Sequence, residues 1–192
     1  MKKKFVFIII IGIFVFILDS CFSTEHYVIK NIDVFGVKLL NNTEEDLNKH
    51  FEIIEDTLKN RLGFLIFGKT EYIYGHLPSL FHECYATTVP KQLDNSIDIN
   101  SLELILDKDI IFEGNIIKKN TSLWNHPLLK EYQWYYEYPY EYPRLGYSVV
   151  IGFNENFYDK VSLSSANYRI TISCTTTDSY KLSKTINLFI IL

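Results

Sequence analysis

The residue with the best-defined chemistry is Cys21. It closes Leu18-Asp19-Ser20-Cys21, directly after an apolar run from Phe5 to Leu18. A Leu three places before the Cys and a small Ser just before it resemble a lipobox. In that arrangement the thiol takes a thioether-linked diacylglycerol and the leader is cut ahead of the Cys. The 14-residue run would be about 21 Å long as a helix. A bilayer core is about 30 Å thick and needs roughly 20 apolar residues. The run is therefore short for a permanent span and suits a secretory leader, with Lys2, Lys3 and Lys4 as its positive start. The expected division is a signal peptide at 1–20, a lipidated Cys and tether at 21–26, and one domain at 27–192. Asp19 is an unusual neighbour for a lipidated Cys, and the other reading is an ordinary leader cut near Ser20 or Ser23.

The remaining thiols, Cys84 and Cys174, form an even pair in an exported, oxidising setting. Joined, they would close a long loop worth about 4–5 kcal/mol in the chain-entropy model. Left free and buried, they would act as small hydrophobes. Both readings stay open, because a disulfide needs a Cα separation that sequence does not supply.

A second kind of chemistry lies in "EYQWYYEYPYEYPRLG", residues 131–146. Tyr132, Trp134, Tyr136, Tyr138, Tyr140 and Tyr142 occupy six consecutive even positions. In an extended chain their rings would line one side. Pro139 and Pro143 cannot donate to a ladder, so the segment is expected at a sheet edge or in a polyproline-like loop. Flat rings bearing hydroxyls can stack on the faces of sugars or anchor a protein interface. The same row could instead close the end of a core.

Familiar catalytic and metal-binding patterns are missing. "HEC" at 82–84 lacks the second His of a zinc-protease helix. His76, His82 and Cys84 lie near one another in sequence, but without metal-ligand spacing. "DKDIIFEGN" at 107–115 holds three acids without the spacing of a calcium loop, and reads as a turn between strands. There is no nucleophile elbow and no phosphate loop. No catalytic residue, metal or cofactor is expected from the sequence. A hydrolase whose carboxylates meet only in the fold remains as an alternative.

The elements that must position these residues are mostly strands. Apolar and β-branched runs occupy 27–40, 64–75, 102–107, 110–114, 115–118, 145–153, 167–177 and 183–192, with turn residues between them. In "NYRITISC" the residues Tyr168, Ile170, Ile172 and Cys174 alternate onto one face, which predicts a buried side. One helix is expected near 43–62, from Thr43 as cap and Leu47, Phe51, Ile54, Leu58 and Leu62 at helical spacing. Seven or eight strands with short turns and one helix predict a mainly-β fold, a single antiparallel, immunoglobulin-like β-sandwich. Its aromatic share of 16% argues against disorder. The formal net charge is −4, and loss of residues 1–20, with three Lys and one Asp, makes it more acidic. With no basic cluster, the chain does not suit nucleic acid.

Residues 84–123 carry a resemblance. Cys84-Tyr85-Ala86, Pro90, the strand opening at Ile97 to Leu106, Asp109-Ile110, Gly114 and Thr121-Ser122-Leu123 are similar to elements of an uncharacterised family of Bacteroidetes-type lipoproteins. The resemblance implies an exported lipoprotein with a domain of unknown function, and no activity. The expectation is a lipid-anchored protein of the bacterial cell envelope, at the outer membrane on its periplasmic or surface face. Its partners would be the membrane, through N-terminal lipid, and a glycan or protein ligand.

Overall fold

The structure, a computed structural model, describes residues 25–39, 51–54, 57–59, 63–74, 91–138 and 147–191. Strands dominate, in this order: β1 (Glu25–Leu39), β2 (Phe51–Ile54), β3 (Thr57–Lys59), β4 (Gly63–Tyr74), β5 (Lys91–Leu93), β6 (Ile97–Leu106), β7 (Ile110–Phe112), β8 (Asn115–Ile117), β9 (Gln133–Tyr138), β10 (Tyr147–Phe153), β11 (Val161–Ser162), β12 (Ala166–Thr176) and β13 (Lys181–Ile191). A 3-10 turn at Lys130–Tyr132 precedes β9. The short helix α1 (Glu155–Tyr158) follows β10, and its first turn is capped by Asn154 Oδ1, which accepts from the Phe157 amide at 3.3 Å. Among the described residues no helix is long and apolar enough to cross a membrane.

The chain divides into two compact units, residues 1–28 with 71–95, and 29–70 with 96–192. In the first, Glu25–Tyr27 pairs in parallel with Lys91–Leu93. The Asp94 amide donates to Tyr27 O at 2.8 Å, and His26 Nδ1 lies 2.8 Å from Asp94 Oδ1. The Tyr27 and Tyr72 rings meet edge to face at 5.6 Å.

The second unit is a sandwich-like arrangement of antiparallel sheets. One sheet has the order β2-β1-β4-β10-β9, the other β3-β13-β12-β6, and a small sheet has the order β11-β7-β8. Most pairs are antiparallel, and β3 joins β13 in parallel. Alternation builds the core. Phe64, Ile66, Val149 and Ile151 from the first sheet, and Leu104, Leu106, Ile170, Ile172, Leu188 and Ile190 from the second, are all buried. The sheets come close at Gly36, where a Cβ would sit 3.0 Å from Leu188 Cδ1. Asp33 adds a polar tie at this side, 2.6 Å from Lys69 and 3.3 Å from Lys184. The Lys69 contact, with help from Lys184, holds its carboxyl below the usual range.

The helix expected near 43–62 is corrected where the structure describes it. Phe51–Ile54 and Thr57–Lys59 are strands, and the rest of that segment lies outside the described residues. Helical spacing of five apolar residues did not decide the outcome. Each short strand finds a ready ladder, β2 on β1 from Gly36 to Leu39 and β3 on the end of β13. Sheet hydrogen bonds and the β-branched Ile53, Ile54 and Thr57 outweigh weak intrinsic helix propensity.

Candidate functional site

The even-numbered aromatic row begins before β9 and loses its first member to a turn. The Tyr132 amide donates to Leu129 O at 3.0 Å in the 3-10 turn, so alternation starts only at Gln133. Tyr132 is buried. Its ring meets Phe112 edge to face at 5.2 Å, and Lys160 Nζ donates to its hydroxyl at 2.7 Å. Phe112, Phe153 and Phe157 stack beside it, with centroids 5.7 Å and 4.3 Å apart about Phe157. Much of the aromatic content therefore fills the core. Lys160 also lies 2.7 Å from Glu113, and that carboxylate, then Tyr132, raises the ammonium above the usual range for Lys.

Register assigns the rest of the row. Trp134 stands opposite Gly152, which stands opposite Gly63. Tyr136 stands opposite Val150, which stands opposite Leu65. Opposed residues share a face, so Trp134 and Tyr136 lie on the outward face with Leu65 and Val150. There Val37, Leu65 and Val150 form a buried cluster, and Trp134, partly buried, packs against it. The two glycines beside Trp134 leave no side chains in its row, and Val37 Cγ2 would lie 3.0 Å from a Cβ at Gly63. Tyr135, the intervening residue, stands opposite Ile151 on the other face and is 52% exposed. Tyr138 ends β9, and Tyr140 and Tyr142 lie outside the described residues.

The edge of this sheet carries its own guard. β9 ends the described strand order, and Glu137 falls on the core-facing row with Val149 and Ile66. The Tyr147 hydroxyl donates to Glu137 Oε2 at 2.7 Å. Burial first, and then the carboxylate, raise the Tyr147 phenol above its usual range. Glu137 is itself exposed at this edge, and a charge on an edge strand discourages pairing with a stray strand.

The acids of 107–115 serve the turns. Asp109 Oδ1 accepts from the Lys119 amide at 2.7 Å and Oδ2 from Lys118 Nζ at 3.1 Å, which lower its pKa. Asp107 Oδ1 accepts from the Arg169 amide at 3.0 Å. Cys174 is a free thiol, buried on the core side of β12, and burial pushes its pKa up to about 11. Its expected partner Cys84, the expected lipidation residue Cys21, and His50, His76 and His82 lie outside the described residues. Among the described residues no group of three His, Cys, Asp or Glu gathers as a metal site.

One cleft in the second unit was not singled out from sequence. It lies on the outward face of β6, β12 and β13, has a volume of about 300 Å³, and is lined by Ile105, Leu106, Asp107, Asn120, Arg169, Thr171 and Thr185. Ile105, Thr171 and Thr185 form one cross-strand row. The Thr171 and Thr185 Oγ1 atoms are 2.9 Å apart. Asp107 and Arg169 exchange two hydrogen bonds, since the Asp107 amide donates to Arg169 O at 3.1 Å and the Arg169 amide donates to the Asp107 carboxylate. Asn120 sits at the rim in the left-handed region, φ 63°, with its amide donating to Leu106 O at 3.0 Å. The signal available in the sequence was the odd-numbered set of "NYRITISCTTT", Arg169, Thr171, Ser173 and Thr175, which is polar throughout.

Comparison with protein-family models, curated proteins and solved structures gives no match to this chain.

Proposed function

We propose that this is a lipid-anchored protein of the bacterial envelope whose β domain has a non-catalytic binding or structural role. The observation that carries the proposal is Cys21, placed at the end of a short apolar leader with Leu18 and Ser20 before it. Two or three acyl chains at that thiol would hold the protein on a membrane far better than one. A binding role for the domain is supported by the outward face of the β3-β13-β12-β6 sheet, whose polar residues Thr185 and Ser183 are exposed. Labelled palmitate provides the test. Wild-type protein should carry the label and sediment with membranes, and Cys21→Ala should be unlabelled and either released or unprocessed. An unlabelled wild-type protein that starts at another residue would overturn the anchor.

A second reading places a glycan or protein ligand on the aromatic segment. Trp134 and Tyr136 share the outward face of a terminal strand and are each partly exposed, while the exposed Tyr135 falls on the other face, opposite Ile151. Trp134 packing on Val37, Leu65 and Val150 gives the segment a structural duty as well.

A further inference from the structure

The cleft on the opposite sheet is better equipped for a polar ligand. Its guanidinium is uncommitted: among the described residues, no carboxylate lies within ion-pair distance of Arg169. Its carboxylate is fixed in place, since Asp107 Oδ1 accepts from the Arg169 amide at 3.0 Å. That bond leaves Oδ2 to accept from outside. The two threonine hydroxyls, 2.9 Å apart, can satisfy each other with one proton and still offer the second proton and spare lone pairs. Ile105, in the same cross-strand row, supplies an apolar patch. The backbone around these groups is pinned by the Asp107 and Asn120 amides, at 3.1 and 3.0 Å, so little ordering is needed when a ligand arrives.

Charge and size narrow the ligand class. One guanidinium and one carboxylate offset each other, so neither a free anion nor a free cation is favoured. Alternating donors and acceptors around a small apolar patch match a ring with hydroxyls at its edge and C–H groups on its face. A volume of about 300 Å³ falls at the small end of ligand sites, which run from roughly 300 to 1,000 Å³. We propose that this cleft binds a neutral saccharide unit, with Arg169, Asp107, Asn120 and the Thr171–Thr185 pair bonded to its hydroxyls and Ile105 against its C–H face. The proposal rests on the domain being a binding module, but it does not depend on lipid at Cys21. Palmitate labelling and sugar binding therefore fail separately.

The test is saturation-transfer NMR on the full-length protein in detergent, with the methyl glycosides of glucose, galactose, mannose and N-acetylglucosamine as probes. At least one should receive saturation. Arg169→Ala should weaken its binding by about tenfold or more, the effect of losing a hydrogen bond to a charged group, and Thr171→Val by about two- to tenfold, the effect of losing a neutral one. Both positions are on the outward face, and a melting curve near that of the wild type will show that each variant is folded. Asp107→Asn keeps an acceptor for the Arg169 amide and removes the negative charge. It should therefore raise the binding of methyl glucuronate relative to the neutral glycosides, a change in preference that a purely structural role would not produce. Three results would overturn the proposal: no transfer to any neutral glycoside, transfer that is unchanged in both variants, or glucuronate, read directly, or inorganic phosphate, read by displacement of the glycoside signal, binding the wild type about tenfold more tightly than every neutral probe.

Discussion

The outward face of the β2-β1-β4-β10-β9 sheet carries Val37, Leu65, Val150 and Trp134, with Ile53 opposite Val37. The outward face of the β3-β13-β12-β6 sheet carries Thr171, Thr185, Ser173, Ser183 and Glu103 in the corresponding role. Both sheets follow the same period of two, and both put apolar residues toward the shared core. They differ in what the other parity does. On the second sheet the outward side chains bond to one another, as Ser173 Oγ does to Glu103 Oε2 at 2.9 Å, and remain compatible with water. On the first sheet the outward side is a second apolar layer, in which Val37 and Val150 are 0% and 1% exposed. Near-continuous apolar runs such as "GFLIF" at 63–67 are what a sheet buried on both faces requires. A single alternation thus gives one face suited to holding structure and one suited to holding a polar ligand.

The largest expected effect tests the first face. Trp134→Ala removes an aromatic side chain packed on three buried aliphatic residues. Truncation of a buried Trp costs about 3–5 kcal/mol, and partial exposure places this one near the lower end. For a chain of this length each kcal/mol shifts the melting temperature by about 2–4 °C, so a drop of roughly 6–12 °C is expected in a thermal melt. A drop of a degree or less would break the contrast, because the outward face of this sheet would then be as tolerant as the other. It would also return Trp134 to the ligand-platform reading.

A smaller effect probes the boundary between inward and outward parity on β12. Cys174 faces the core between Ser173 and Thr175, and its thiol is raised from 9.0 to about 11, by burial first and by Asp98 second. A raised acid keeps its proton in the folded state while the unfolded chain loses it. Between about pH 9 and 11 the unfolded state therefore binds fewer protons, and stability falls as pH rises. The loss should be on the order of 1–2 kcal/mol over that window, and Cys174→Ala should remove it from a series of denaturant melts. Cys174 in the native protein should also resist maleimide at pH 8, read on its own peptide by mass spectrometry, since the thiolate is the reactive form. Rapid labelling of the Cys174 peptide under native conditions would place that residue outside the core.

How much of this was legible in the sequence depends on the distance over which information had to travel. The strands of "NYRITISCTT" and "KLSKTINLFII" were readable because burial alternates within each segment, and Tyr168, Ile170, Ile172 and Cys174 are buried as their spacing requires. The segment around Phe51 and Leu58 was not readable. Its apolar residues fit a helical period, and the ladders that overrule it belong to β1 and β13, the latter more than a hundred residues away. The aromatic row was half legible: its period held from Gln133 onward, but a single 3-10 turn moved Tyr132 into the core. The cleft was hidden for a further reason. Asp107 and Arg169 are 62 positions apart and meet only because β6 pairs with β12.

The smallest expected effect tests the second face. Thr171 and Thr185 are directly opposed, their hydroxyls meet at 2.9 Å, and Thr185 is exposed to water. A cross-strand Thr pair contributes about 0.2–1 kcal/mol relative to Ala. Thr185→Val keeps the β-branched shape that suits a strand and removes only the hydroxyl. The Thr171 hydroxyl left behind can turn to water, so no buried group is stranded and the large penalty for an unsatisfied donor does not apply. The expected change is therefore within about 0.5 kcal/mol, a shift of no more than about 2 °C. A double-mutant cycle with Thr171→Val should return a coupling inside the range for such pairs, which separates the hydroxyl contact from changes in packing. A loss as large as that of Trp134→Ala would mean that the row Ile105–Thr171–Thr185 supports the sheet as a second buried layer does. The two faces would then have the same role, and the cleft between Arg169 and Thr185 would lose its claim to be a surface free for a ligand.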